Sequence, residues 1–190
     1  LLPALAVFLL SCSTEEKTQT LFNGKDLTGW DTYIGPRYDT VLKKRDSIPA
    51  GLNNDPQQVF SVVEVDGQPA IRVSGEHFGG LSTQSEFRNY HLTVEFKWGT
   101  QKWAPRKDQK RDSGILYHAV EPHGADGGFW MRSQEFQVQE GDCGDYWGVA
   151  GGAFDIPAEE IDSGLWRYDP QRKLLEFSNK GPQGRWCIKN

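Results

Sequence analysis

Sulfur is scarce in this chain: one Met and three Cys among 190 residues. Three cysteines are too few for the dense disulfide framework that holds small secreted domains together, and no Cys/His spacing of a zinc site occurs. Basic excess is missing too. Lys and Arg number 21 against 26 Asp and Glu, for a formal charge of −5, which argues against nucleic acid as partner, because a phosphate backbone selects for a basic footprint. Neither a phosphate-loop nor a dinucleotide glycine motif is present, so nucleotide hydrolysis and nicotinamide redox chemistry lose their usual marks. No internal repeat is visible. No apolar run reaches the roughly 20 residues a membrane-spanning helix needs. Helical signals are nearly absent, the one suggestion being a single turn over residues 155–160, with Asp155 as cap and Pro157 in the first turn.

The longest uncharged run is at the start, LLPALAVFLL over residues 1–10. Its length suits the h-region of a secretory signal peptide; a buried core strand is the other reading. Neither Met nor a basic segment precedes it, so the start reads as incomplete. Leu9-Leu10-Ser11-Cys12 follows and resembles the bacterial lipobox, which implies cleavage before Cys12 and lipidation of that residue. Residues 13–20 are polar and read as a tether. Their acidic start resembles the surface-export signal of Bacteroidetes lipoproteins, although an ordinary linker has the same composition. The expected organisation is a signal peptide over 1–11, a tether over 12–19 behind lipidated Cys12, and one domain over 20–190. Such a domain would sit at the cell envelope as an outer-membrane lipoprotein, facing periplasm or medium and touching the membrane only through its lipid.

Aromatics are plentiful, with seven Trp, ten Phe and six Tyr. Some must be core, but a surplus of flat rings also suits a carbohydrate site, where they pack on the apolar face of a sugar. From Thr20 onward the hydrophobic period is two, broken by turns rich in Gly, Pro, Asn and Asp. Residues 59–65 and 70–73 flank Asp66-Gly67-Gln68-Pro69, a hairpin signal. Residues 90–98 alternate Tyr90, Leu92, Val94, Phe96 and Trp98 with polar neighbours, which predicts a long half-buried strand. Residues 113–119 and 131–139 read as two more strands, and 165–168 with 173–177 as a hairpin around Asp169-Pro170. Many short antiparallel strands with spaced turns predict an all-β sandwich or jelly roll.

The segment Ser133-Gln134-Glu135-Phe136-Gln137-Val138-Gln139 carries the most chemistry. Alternation puts Ser133, Glu135, Gln137 and Gln139 on one face and Phe136 and Val138 on the other, expected to be the core face. A lone carboxylate among amides suits sugar hydroxyls, which both donate and accept; a solvated outer face is the plainer reading. On the preceding strand Asp112, Gly114, Leu116 and His118 share a face, and if it adjoins that of Glu135, then His118 and Glu135 form an acid/base pair. Asp142 and Asp145 are weak candidates for a divalent metal ion, a tight turn with capping carboxylates being the simpler account. The basic stretch 101–111 reads as a solvated loop, with Arg111 at the strand mouth as its one candidate ligand contact. Cys143 and Cys187 are the remaining cysteines, and export would favour their pairing.

Three pieces lie in order along the chain: Leu21-Phe22-Asn23-Gly24-Lys25-Asp26-Leu27-Thr28-Gly29-Trp30; then Arg111-Asp112-Ser113-Gly114-Ile115-Leu116-Tyr117-His118; then Gln134-Glu135-Phe136-Gln137-Val138-Gln139-Glu140-Gly141-Asp142 with Gly144-Asp145. In these the sequence resembles the 3-keto-disaccharide hydrolase domain family, a concanavalin A-like jelly roll. That family usually continues into a Glu-Trp-Asn segment and a late strand with Asn-Gly; neither is found before Asn190, so the domain reads as short at its C-terminus. The resemblance implies a 3-keto-glycoside or oligosaccharide substrate, and a 3-keto-forming sugar oxidoreductase in the same pathway. A ketone at C3 acidifies the hydrogen on C2; a base removes it, the C1 oxygen leaves by β-elimination, and water adds back. The implied roles are His118 or Glu135 as base, Arg111 or a divalent metal ion as enolate stabiliser, and Gln137 and Trp130 as sugar contacts, with Gln139 and Asp145 nearby; no cofactor is required with certainty. The rival from another class is a non-catalytic carbohydrate-binding module. A retaining glycosidase fits less well, because the positions two and four beyond Glu135 are Gln137 and Gln139 rather than a second acid.

Overall fold

The structure is a computed structural model that describes residues 18–178 and 187–189. The expectations for Cys12, the signal peptide and most of the tether therefore lie outside the described residues. Fourteen strands follow in order: β1 (Trp30–Ile34), β2 (Tyr38–Asp39), β3 (Lys44–Arg45), β4 (Gly51–Leu52), β5 (Phe60–Val65), β6 (Gln68–Val73), β7 (Gly79–Thr83), β8 (Asp112–Val120), β9 (Arg132–Gln139), β10 (Tyr146–Val149), β11 (Ala153–Asp162), β12 (Leu165–Tyr168), β13 (Leu174–Ser178) and β14 (Cys187–Lys189). No helix occurs among the described residues, so none is long and apolar enough to cross a membrane. The fold is all-β, built from antiparallel sheets of the β-sandwich, jelly-roll kind, with one parallel pair, β12 beside β14.

A three-stranded sheet runs β4-β1-β7, and a seven-stranded sheet runs β13-β11-β12-β14-β10-β9-β8. Beside them stands the β5–β6 hairpin, closed as its sequence predicts. Asp66 and Gly67 both take positive φ, 51° and 77°, the primed geometry whose twist matches the flanking strands. Ile34, Val59 and Phe60 form one buried cluster with Leu27, Ala50 and Leu81 against it. Ala158 and Phe177 form a second, packed by Tyr146, Ile156, Trp166 and Leu175. The connection between β8 and β9 ties itself to the small sheet. Tyr33 Oη donates to the Gly128 carbonyl at 3.2 Å, His123 Nε2 lies 3.1 Å from Ser82 Oγ, Trp130 stacks on Phe78, and Phe129 meets Phe78 edge to face. The Arg45 guanidinium caps this cluster, 4.1 Å from the Phe78 ring and 4.8 Å from Phe129.

Four local expectations change. Residues 90–98 join no ladder, and Tyr90, Leu92, Val94 and Phe96 are exposed. Alternation encodes which side chains share a face; it does not supply a partner strand. The turn expected at 155–160 is instead the middle of β11. Its first half, through Pro157, pairs with β13 and its second half, from Ala158, with β12. Pro157, which has no N–H to give, sits where the ladder changes partner. The strands read as one hairpin, β12 and β13, accordingly do not pair with each other but flank β11. Finally, Val138 is buried at 6% exposure, but Phe136 on the same face is 47% exposed. The face of Glu135 is the deeper one: Ser133 is 2% and Gln137 7% exposed.

Candidate active site

The site is built on the β8–β9 ladder, where Asp112 faces Gln139, Gly114 faces Gln137 and Leu116 faces Glu135. Residues opposite one another in such a ladder point to the same side. The pleat therefore collects Asp112, Gly114, Leu116, Glu135, Gln137 and Gln139 on one surface.

Glu135 does not stand straight over its partner Leu116. It leans along the ladder, so that a Cβ built on Gly114 would meet Glu135 Oε1 at 1.8 Å. At the next position along β8, Asp112 Oδ1 accepts from Gln137 Nε2 at 3.1 Å, and Asp112 Oδ2 is paired with Arg106 Nη2 at 2.9 Å. Asp126 approaches from the β8–β9 connection, where its backbone bridges to Trp130. Burial raises the Glu135 pKa from its ordinary 4.5 to about 7, and the negative charges of Asp112 and then Asp126 add to the rise. A carboxyl that titrates near neutrality can take a proton or give one at physiological pH.

His118 is placed differently from straight alternation. The register shifts between Tyr117 and Val120, and His118 adopts φ of 51°. This bulge turns its ring toward Tyr117 and Tyr90, at centroid distances of 5.6 and 6.2 Å. His118 lines a depression of about 290 Å³ with Arg132, Ser133 and Gln134, and the pairing with Glu135 that unbroken alternation would give is not formed. Arg111 is likewise engaged: its guanidinium pairs with Glu140 and donates to the Thr100 carbonyl at 3.0 Å. The cation that reaches the Glu135 face is Arg106.

Gln137 is engaged by Asp112, Gln139 lies across from Asp112 and half-buried, and Trp130 belongs to the Phe78–Phe129 cluster. Asp145 is buried and its carbonyl accepts the Gln137 N–H at 2.9 Å, so it braces the end of β9. Asp142 is ion-paired with Lys110 at 2.6 Å. Among the described residues no group of three or more His, Cys, Asp or Glu side chains is arranged to hold a metal ion. Cys143 is a free, exposed thiol; the side chain of Cys187 lies outside the described residues.

Sequence reasoning passed over Asp112, Gly114, Asp126 and Arg106. The first two were legible as members of the Glu135 face. Arg106 gave no signal, since one cation in a basic loop looks like its neighbours until the loop folds back over a strand.

The chain matches the 3-keto-alpha-glucoside-1,2-lyase-like domain family over residues 17–187, and it belongs to that family. No curated protein and no solved structure matches it. Membership supports a glycoside-cleaving function at the level of the family.

Proposed function

We propose that this protein cleaves 3-keto glycosides by proton transfer at Glu135. The observation that carries the reading is the Glu135 carboxyl itself, desolvated beside two other acids and poised to titrate at about 7. In a 3-keto sugar the C2 hydrogen is acidic enough for such a base. Glu135 takes that proton, the electron pair left on C2 is delocalised onto the C3 oxygen as an enolate, and expulsion of the C1 oxygen forms the C1–C2 double bond. The leaving alkoxide takes up a proton, which protonated Glu135 can return. Elimination completes a lyase reaction; water adding across the new double bond makes it a net hydrolysis. Arg106, beside Asp112 on the Glu135 face, is the cation placed to steady negative charge as it develops on the sugar. The amides of Gln137 and Gln139 do not move protons, and Asp112 is engaged by Arg106 and Gln137, so the chemistry falls to Glu135. The substrate must come from an enzyme class that oxidises a sugar hydroxyl at C3. Attachment to the cell envelope through lipidated Cys12 belongs to the same proposal, resting on the sequence of residues 1–12.

The test is incubation with a 3-keto disaccharide and with its unoxidised parent, the products read by mass spectrometry in deuterated water. Release of free sugar from the keto substrate alone, with deuterium arriving only at C2, is the expected result. Binding of both sugars with turnover of neither would overturn the enzyme reading in favour of a carbohydrate-binding module.

A further inference from the structure

We infer that Gly114 is a positioning residue for Glu135: its missing side chain is the seat on which the carboxyl rests, and any side chain there displaces that carboxyl from the site. The inference builds on the proposed role of Glu135 and adds a residue that acts through it.

A glycine inside a strand needs a reason, because it weakens the strand through backbone entropy and offers nothing to pack. Two reasons are general, conformation and space. Conformation does not apply here. The φ of Gly114 lies outside the left-handed region that favours glycine, and its pairing with Gln137 belongs to an unbroken stretch of ladder from Asp112 to Tyr117. Space does apply. A Cβ on Gly114 would lie 1.8 Å from Glu135 Oε1, 2.6 Å from Cδ and 2.7 Å from Cγ. The end of the Glu135 side chain thus occupies the volume a methyl group would take. The two residues are diagonal neighbours on one face, a separation that a long side chain bridges only by leaning. By leaning, Glu135 moves off Leu116 and toward Asp112, against the floor of the sheet and away from solvent.

What would give way is also readable. Gly148 and Gly152 are crowded by backbone oxygens, with Cβ contacts of 2.2 and 2.1 Å. Backbone cannot yield without loss of the fold. At Gly114 the crowding atoms belong to the far end of a flexible side chain, so an added methyl moves Glu135 and leaves the ladder in place.

The decisive experiment compares wild type, Gly114→Ala and Gly80→Ala, the last a strand glycine whose Cβ would meet nothing within 4 Å. The titration of the Glu135 carboxyl is followed by carbon-13 NMR, assigned through Glu135→Gln. Turnover of a 3-keto disaccharide is measured alongside, across pH. Gly114→Ala should be folded by circular dichroism, and its Glu135 should titrate well below the wild-type value. Its kcat should fall by about 10²-fold, the scale expected for a misplacement of about 1 Å, with little change in KM. The acid limb of its pH profile should move down with the titration, and Gly80→Ala should match wild type in every reading. Should Gly114→Ala fail to fold, the double variant Gly114→Ala/Glu135→Ala carries the test, since with the glutamate arm gone nothing in the Glu135 side chain crowds the added methyl and the protein should fold. A Glu135 carboxyl that titrates in Gly114→Ala as in wild type, or a double variant that fails to fold as Gly114→Ala does, overturns the positioning role. If wild type turns over no 3-keto sugar yet the titration moves as stated, the positioning role stands and the proposed reaction falls.

Discussion

Glu135 and Glu140 lie five residues apart, one in the middle of β9 and the other just past its end, yet the fold drives them in opposite directions. Glu135 is buried beside Asp112 and Asp126, and its pKa rises to about 7. Glu140 accepts the Arg111 backbone N–H at 2.7 Å and ion-pairs with Arg111 and Lys102, and its pKa falls to about 2. The chemistry of the two side chains is the same. What differs is that hydrogen bonds and cations meet the ionised form at Glu140, whereas desolvation and like charge penalise it at Glu135. A glutamate at the end of a ladder is used to close a loop; one held in its middle over Gly114 is left able to exchange a proton.

The largest effect that sharpens the contrast is on turnover. Glu135→Gln keeps the size of the side chain and most of its hydrogen bonding but removes the proton, so kcat on a 3-keto disaccharide should fall by about 10²–10⁴-fold while sugar binding survives. A variant that turns over at the wild-type rate would remove Glu135 from the mechanism.

The next effect is on stability, with the opposite sign. Below pH 4.5 the Glu135 carboxyl is protonated in both folded and unfolded chains and costs nothing. As the pH rises from 4.5 to about 7 the unfolded chain releases this proton while the folded chain retains it, so stability is lost across that window and levels off above it. The loss is on the order of 3 kcal/mol, from about 1.4 kcal/mol per pH unit. Glu135→Gln should therefore be more stable than wild type at pH 8 and no more stable at pH 4. Thermal unfolding at the two pH values checks this, and equal melting temperatures at pH 8 would contradict the desolvated carboxyl.

A smaller shift should follow from Asp112→Asn, which removes one of the two acids near Glu135 while keeping an oxygen for Gln137. The acid limb of the rate profile should move down by on the order of one pH unit, as the loss of a nearby like charge entails. Turnover at pH 6 should then rise several-fold even as the plateau rate falls. An unmoved limb would leave burial and Asp126 to account for the shift.

Glu140→Gln should do least to turnover, because Glu140 works on the loop rather than at the site. Its carboxylate is held below the ordinary range, so its stabilising effect is present at pH 7 and fades as the pH falls from 4.5 toward 2. Urea unfolding at pH 7 should show a modest loss relative to wild type, and at pH 2 almost none. A large loss of turnover in Glu140→Gln at unchanged stability would put it in the site and collapse the comparison.

How much of this was legible beforehand differs from element to element. The β5–β6 hairpin could be read from Asp66-Gly67, since a primed turn depends on two adjacent residues. The membership of the Glu135 face could be read from alternation, and β8 and β9 have the extents it predicts within a residue or two. Residues 90–98 carry the same signal without a ladder. At His118 a bulge ended the alternation, and no residue type announces a bulge there.

The chain's own order of residues determined that the protein is all-β, that Glu135 shares a side with Gln137 and Gln139, that Asp112 shares one with Gly114, and which family it belongs to. All of these follow from local periodicity and from motifs a few residues long. The tertiary structure alone decided that the polar face of β9 is the deeper one, that Arg106 rather than Arg111 reaches it, and that Glu135 leans onto Gly114 beside Asp112. Those outcomes depend on which distant segments exclude water from one carboxyl, and desolvation is a property of the assembled sheet, not of any stretch of sequence.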